Sequence, residues 1–120
     1  MKESLSLPSE PITKKKLASF LSVSERSVYN YTFMASRFID DFLPDYPVID
    51  GKYLTSAPMT NYQAWAITQI HNFLEFFGSS KLLENRLEND RKIQSSFGKS
   101  AFIAKFPEYS EPGAIVRLQP

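Results

Sequence analysis

Few side chains in this sequence could do chemistry, and their kinds limit what that chemistry is. The chain has no cysteine and one histidine, His71. Disulfides, thiolate zinc sites, iron–sulfur clusters and cysteine nucleophiles are therefore excluded, as is a multi-histidine metal site. His71 falls in the middle of a helical pattern and is expected to play a structural part. Asp40, Asp41 and Asp45 do not have the spacing of a calcium loop and read as the solvated acidic end of a helix. Neither a glycine-rich phosphate loop nor a nucleophile elbow occurs. No catalytic residue, metal or cofactor is expected. What remains is binding chemistry. Lys14, Lys15 and Lys16 form a run that could hold phosphates. Arg26 and Asn30 carry the paired donors and the amide that recognise guanine and adenine edges, with Tyr29 between them.

Charge is unevenly spread among the elements that must position these residues. The 120 residues carry Lys+Arg 14 and Asp+Glu 13, a net charge of only +1. Between Ile12 and Ile39, however, Lys14, Lys15, Lys16, Arg26 and Arg37 face Glu25 alone. Asp40, Asp41, Asp45 and Asp50 follow without a base, and bases lead again from Lys81 to Lys105. Hydrophobic residues make up 42%, enough for one compact domain. No apolar run approaches a membrane span and the N-terminus lacks a signal-peptide core, so a cytoplasmic protein with no membrane role is expected.

Residues 1–11, rich in Ser and Pro, are expected to be a flexible arm. Thr13 can cap a first helix whose Leu17, Phe20 and Leu21 share a face, and Ser24 can cap a second that begins at Glu25. On the second, Val28, Tyr31, Ala35 and Phe38 form the inward stripe, with Arg26, Tyr29, Asn30, Phe33 and Arg37 on the other side. Pro44 and Pro47 end that pattern. Asp50-Gly51 between short apolar runs predicts a hairpin over Val48–Leu54. Thr60 or Asn61 can cap a third helix with Tyr62, Ala66, Ile70, Phe73, Leu74 and Phe77 on its stripe; Trp65 and Phe76 fall off it and are expected against the hairpin or a second subunit. Gly78 stops that helix, and Ser79 or Ser80 can start a fourth, KLLENRLENDRKI. FGKSAFIAKF reads equally as helix or strand, and AIVRL as a terminal strand.

Lys14–Tyr31 fits a helix-turn-helix. Ala18 is the small residue where two helices cross, Ser22 stands at the turn position usually filled by Gly, and Val28 begins the inner face of the second helix. Three lysines at a helix start oppose the macrodipole, a placement that a bound phosphate would compensate. An ordinary helical hairpin is the alternative.

The order of elements resembles the N-terminal domain of MerR-type transcription regulators over about residues 12–90. VSERSVYNY is similar to that family's recognition-helix signature at Val23, Ser24, Ser27, Val28 and Tyr31, with Tyr29 in place of its Arg and Asn30 in place of an aromatic. IDGKYLTS resembles its wing at Gly51, Lys52 and Tyr53, without the wing Arg, and NYQAWAITQIHNFLEFFGSSKLLENRL its following helix pair. The resemblance implies a mainly α fold, a winged helix-turn-helix with a short β-hairpin wing and an additional C-terminal helix or strand. It implies a DNA-binding domain over 12–95 and a C-terminal extension, 96–120, that could dimerise through Phe97–Phe106. The implied function is a sequence-specific transcriptional regulator, a repressor binding an inverted repeat of double-stranded DNA as a homodimer. Usual members add a long dimerising helix and an effector domain; this sequence has about thirty residues after the fourth helix and none of the sensing cysteines, so no small-molecule effector is expected. The expected contacts are Lys14, Lys15 and Lys16; Ser24, Glu25, Arg26, Ser27, Tyr29, Asn30 and Arg37; and Lys52 and Tyr53 of the wing. An excisionase-like architectural factor and a helical protein-interaction domain are the alternatives.

Overall fold

Thr13 begins the first helix: its Oγ1 accepts the Lys16 N–H at 3.1 Å, and α1 runs over Lys14–Leu21. A side-chain cap of this kind contributes about 1 kcal/mol. The computed structural model describes residues 11–109. Helix α1 ends at Ser22, which is left-handed at φ 59° and ψ 43°. Its N–H donates to Ser19 O at 3.2 Å, and the Val23 N–H donates to Ala18 O at 2.9 Å. These two bonds satisfy the last carbonyls of α1 in the pattern a glycine usually supports. Ser24 then accepts the Ser27 N–H at 3.0 Å and starts α2, Glu25–Phe38.

Leu17, Ala18, Val28 and Ala35 are buried where α1 and α2 meet the rest of the core. Tyr31 and Phe38 are only half-buried, and Met34 and Thr32 complete the inner face of α2. The Thr32 hydroxyl donates to Val28 O at 2.8 Å, which removes the cost of burying it. Phe20 departs from its expected place: it is half exposed, because burial of Leu17 and Ala18 centres the inner face of α1 on the Ala18 side and leaves Phe20 at its edge.

After a turn of 3₁₀ helix at Leu43–Asp45 the chain makes its hairpin, β1 Val48–Ile49 and β2 Lys52–Tyr53, antiparallel with Val48 opposite Tyr53 and Ile49 opposite Lys52. Asp50 and Gly51 both have positive φ, 53° and 77°, as a two-residue turn requires. Ile12 and Met59 exchange backbone bonds of 2.9 and 2.7 Å, which ties the chain ahead of α1 to the start of α3.

Helix α3, Asn61–Phe77, opens with a capping box between Thr60 and Gln63 and closes at left-handed Gly78. Every residue from Tyr62 to Ile67 is buried, so the first half of α3 is a central helix surrounded on all sides. That explains Trp65, which the periodicity set apart for the hairpin or a second subunit. It is instead buried in the core, 5.5 Å from the Phe102 ring and 6.2 Å from Tyr62. Phe77, expected on the inner stripe, is half exposed at the far end of the helix.

The expected fourth helix is two. Helix α4 spans Ser80–Asn89 and α5 spans Arg91–Ser96, with Asp90 extended between them. Asp90 accepts the Lys92 and Ile93 N–H groups at 3.0 and 3.3 Å and so caps α5. FGKSAFIAKF resolves as α6, Lys99–Lys105. Phe97 and Phe102 are buried in the same core as α1–α3, so the stretch assigned to a C-terminal extension is integral to the domain as far as Tyr109. The Tyr62 hydroxyl fastens it, donating to Phe97 O at 2.7 Å. AIVRL and residues 1–10 of the expected arm lie outside the described residues. The fold is mainly helical with one small antiparallel sheet, and no helix among the described residues is long and apolar enough to cross a membrane.

Candidate nucleic-acid interface

Val28 and Ala35, fully buried, fix which side of α2 turns outward. On that side Arg26, Tyr29, Asn30, Phe33 and Arg37 recur at helical spacing and all are exposed. Phe33 is 64% exposed and Tyr29 57%. The Arg37 guanidinium carbon lies 5.8 Å from the centre of the Phe33 ring and 5.0 Å from that of Phe38. No carboxylate interrupts this stripe. Glu25 stands at its head, where the helix dipole favours a negative charge. Phe33 was not among the residues singled out for binding, although its spacing from Tyr29 was the available signal.

The lysine run divides. Lys15 and Lys16 are exposed. Lys14 is drawn inward: its Nζ donates to Thr55 O at 2.6 Å and lies 5.5 Å from the ring centres of both Tyr29 and Tyr46. Burial lowers its pKa from the ordinary lysine value. Lys14 thus braces α1 to the loop after the hairpin and supports Tyr29 from behind. A cleft of about 380 Å³ opens beside it, lined by Tyr29, Thr32, Phe33, Leu43 and Thr55 among others.

Ser24 and Ser27 are engaged with each other at the head of α2, their hydroxyls 3.1 Å apart. Lys52 and Tyr53 are exposed on β2. Their hairpin is largely apolar, with Val48, Ile49, Tyr53 and Leu54 all between 37% and 60% exposed, and Asp50 occupies its tip.

Of the acidic residues, Asp40 and Asp41 are exposed just past the end of α2, as expected, but Asp41 and Asp45 also make contacts far along the chain. Asp41 accepts the Lys99 N–H at 2.9 Å at the start of α6, and Asp45 pairs with Lys99 Nζ at 2.6 Å while accepting from the Thr60 hydroxyl. Gln63, fully buried, completes the network by donating to Phe42 O at 2.8 Å. These contacts lock α6 and the start of α3 to the segment after α2. His71 meets the Tyr31 hydroxyl through Nδ1 at 3.3 Å. Burial, with Glu75 nearby, raises the Tyr31 pKa. Burial, with the charges of Asp41 and Asp45, raises that of Tyr62. Among the described residues no group of three or more His, Asp or Glu side chains is placed to hold a metal.

The contacts expected from sequence therefore separate into the stripe on α2, the free Lys15–Lys16 pair and the hairpin pair Lys52–Tyr53, with Lys14 serving as a brace. Comparison of the chain with protein-family models, curated proteins and solved structures yields no match.

Proposed function

We propose that this chain is a sequence-specific DNA-binding regulator in which α1 and α2 act as a helix-turn-helix and the hairpin as a wing. The observation that carries the reading is the α1–α2 unit. Ser22 is left-handed at the turn, Ala18 and Val28 are buried beneath it, and a carboxylate-free stripe of arginine, amide and aromatic side chains faces outward. Helix α2 enters the major groove, Arg26 bonding a guanine edge and Asn30 an adenine. Lys15, Lys16 and Arg37 hold phosphates, and Lys52 and Tyr53 touch the flanking backbone. One such unit reads only a few base pairs, so the protein pairs as a homodimer on an inverted repeat, where it acts as a repressor. Exposed Phe76 and Phe77, beside a cleft of about 410 Å³ at the end of α3, offer apolar surface for pairing.

The test is titration of duplex DNA at several salt concentrations. Binding that weakens steeply with salt and prefers one sequence supports the reading. DNA bending measured alongside repression separates a repressor from an architectural factor. The second reading, a protein-interaction domain, is favoured by the hairpin, whose exposed Val48, Ile49 and Leu54 and acidic tip suit an apolar partner better than a phosphate backbone. It prevails if no salt-dependent DNA binding is found.

A further inference from the structure

We infer that Phe33, with Tyr29 one turn before it, reads thymine through its 5-methyl group, so that the preferred DNA carries thymine opposite the middle of α2. The inference rests on the DNA-binding reading above and names what the aromatic part of the stripe recognises.

Phe33 contributes little to the core. Its ring is 64% exposed, and the cation stacked on it, Arg37, is itself exposed. A free apolar ring on an otherwise polar helix face calls for a partner that presents an apolar group there. Arg26 and Arg37 lie at either end of the stripe and α2 places no carboxylate between them, so the helix itself favours an anion on this face, while Glu84 of α4 lines the cleft beside Asn30 and Phe33. Duplex DNA meets both conditions at one place. Guanine, adenine and cytosine show only donors and acceptors in the major groove, whereas thymine adds a methyl group. A phenyl ring pressed on a G·C edge would leave polar atoms dry and unpaired, which is unfavourable. Against thymine it covers the methyl and leaves O4 to a neighbouring donor, for which Asn30 is placed one turn from Phe33 on the same face.

The experiment starts from duplexes selected by the full chain from a random pool. The best duplex is remade with deoxyuridine in place of thymidine, which keeps pairing and removes only the methyl groups. The parent protein is expected to bind the uracil duplex about fourfold more weakly for each methyl lost from the contact, the worth of one buried methyl-sized group. Phe33→Ala should bind the two duplexes equally, while Phe33→Leu keeps part of the difference. Arg26→Ala should lose the preference at its own base position yet still distinguish thymine from uracil. Equal binding of both duplexes by the parent overturns the inference and leaves the DNA-binding reading intact. Failure to enrich any duplex overturns both, and assigns the aromatic stripe to another kind of partner. Circular dichroism on Phe33→Ala controls for folding, which an exposed position should not disturb.

Discussion

Ser22 offers a prediction whose sign is opposite to the usual effect of placing glycine in a helical domain. Its φ of 59° and ψ of 43° lie at the centre of the left-handed region. A residue with a Cβ pays roughly 1–2 kcal/mol to stay there. Ser22→Gly removes that cost but loosens the unfolded chain, which returns about 0.4–1 kcal/mol. The Val23-to-Ala18 and Ser22-to-Ser19 bonds use backbone atoms alone and survive the change. The net expectation is a gain of about 0.5–1 kcal/mol, or roughly 2–4 °C in Tm for a domain of this size. Ser22→Val should lose ~1 kcal/mol or more, because a β-branched side chain tolerates this conformation least. Urea unfolding and a thermal melt of the three proteins measure both. Ser22→Gly should leave DNA affinity within about twofold of the parent, since Ser22 lies outside the α2 stripe. A glycine variant less stable than the parent, or a valine variant equal to it, would refute the left-handed turn and with it the crossing of α1 on α2.

Three further outcomes follow from other parts of the fold. In Gly98→Ala the new Cβ would lie 3.0 Å from the Asp41 carboxylate and 3.2 Å from Ser95 O, so Asp41 must give way by a few tenths of an ångström and its bond from the Lys99 N–H is weakened; denaturant unfolding should show a loss of about 0.5–1 kcal/mol. The Tyr46 hydroxyl is buried without a hydrogen-bond partner among the described residues, so Tyr46→Phe should cost less than about 0.5 kcal/mol at neutral pH. Burial, with Tyr29 nearby, pushes its pKa up to about 12 from 10, so the folded state keeps the proton that the unfolded chain gives up; stability should fall as pH rises from 10 to 12, and less so in Tyr46→Phe, read by urea unfolding across that window. The Cβ of Gly51→Val would meet no neighbour within 4 Å, but the residue strains the turn at φ 77°; DNA affinity should fall while the helical circular dichroism signal is kept, and parent-like binding would remove the hairpin from the interface.

The elements that the sequence declares are those decided within a few residues. Thr13, Ser24, Thr60 and Ser79 each cap the helix next to them, and Asp50-Gly51 and Gly78 take the positive φ that their neighbours demand. Where partners lie far off along the chain, the pattern was silent. Asp41 and Asp45 find Lys99 more than fifty residues on, and Lys14 finds Thr55. Trp65 could not be placed from periodicity, because a helix buried all round has no inner stripe to mark. Beyond the local cap at Asp90, Gln94 ties α5 to distant backbone, its amide donating to Phe38 O and Leu87 O at 3.1 and 3.2 Å. Within the candidate site, the outward face of α2 was legible from the spacing of Val28 and Ala35. The inward turn of Lys14 was not, because a run of three lysines gives no sign of which one is desolvated.

The central claim is that α2 reads DNA, and it is tested most directly by separating positioning from reading. The parent, Arg26→Ala and Lys15→Ala should each be titrated with a selected duplex and a scrambled one at two or more salt concentrations. Arg26→Ala is expected to lose about 1–3 kcal/mol on the selected duplex alone, which brings the two affinities together. Lys15→Ala is expected to weaken both duplexes alike and lower the salt slope by about one. If Arg26→Ala keeps the parent's ratio between the two duplexes, the outward face of α2 is not a reading face and the account fails.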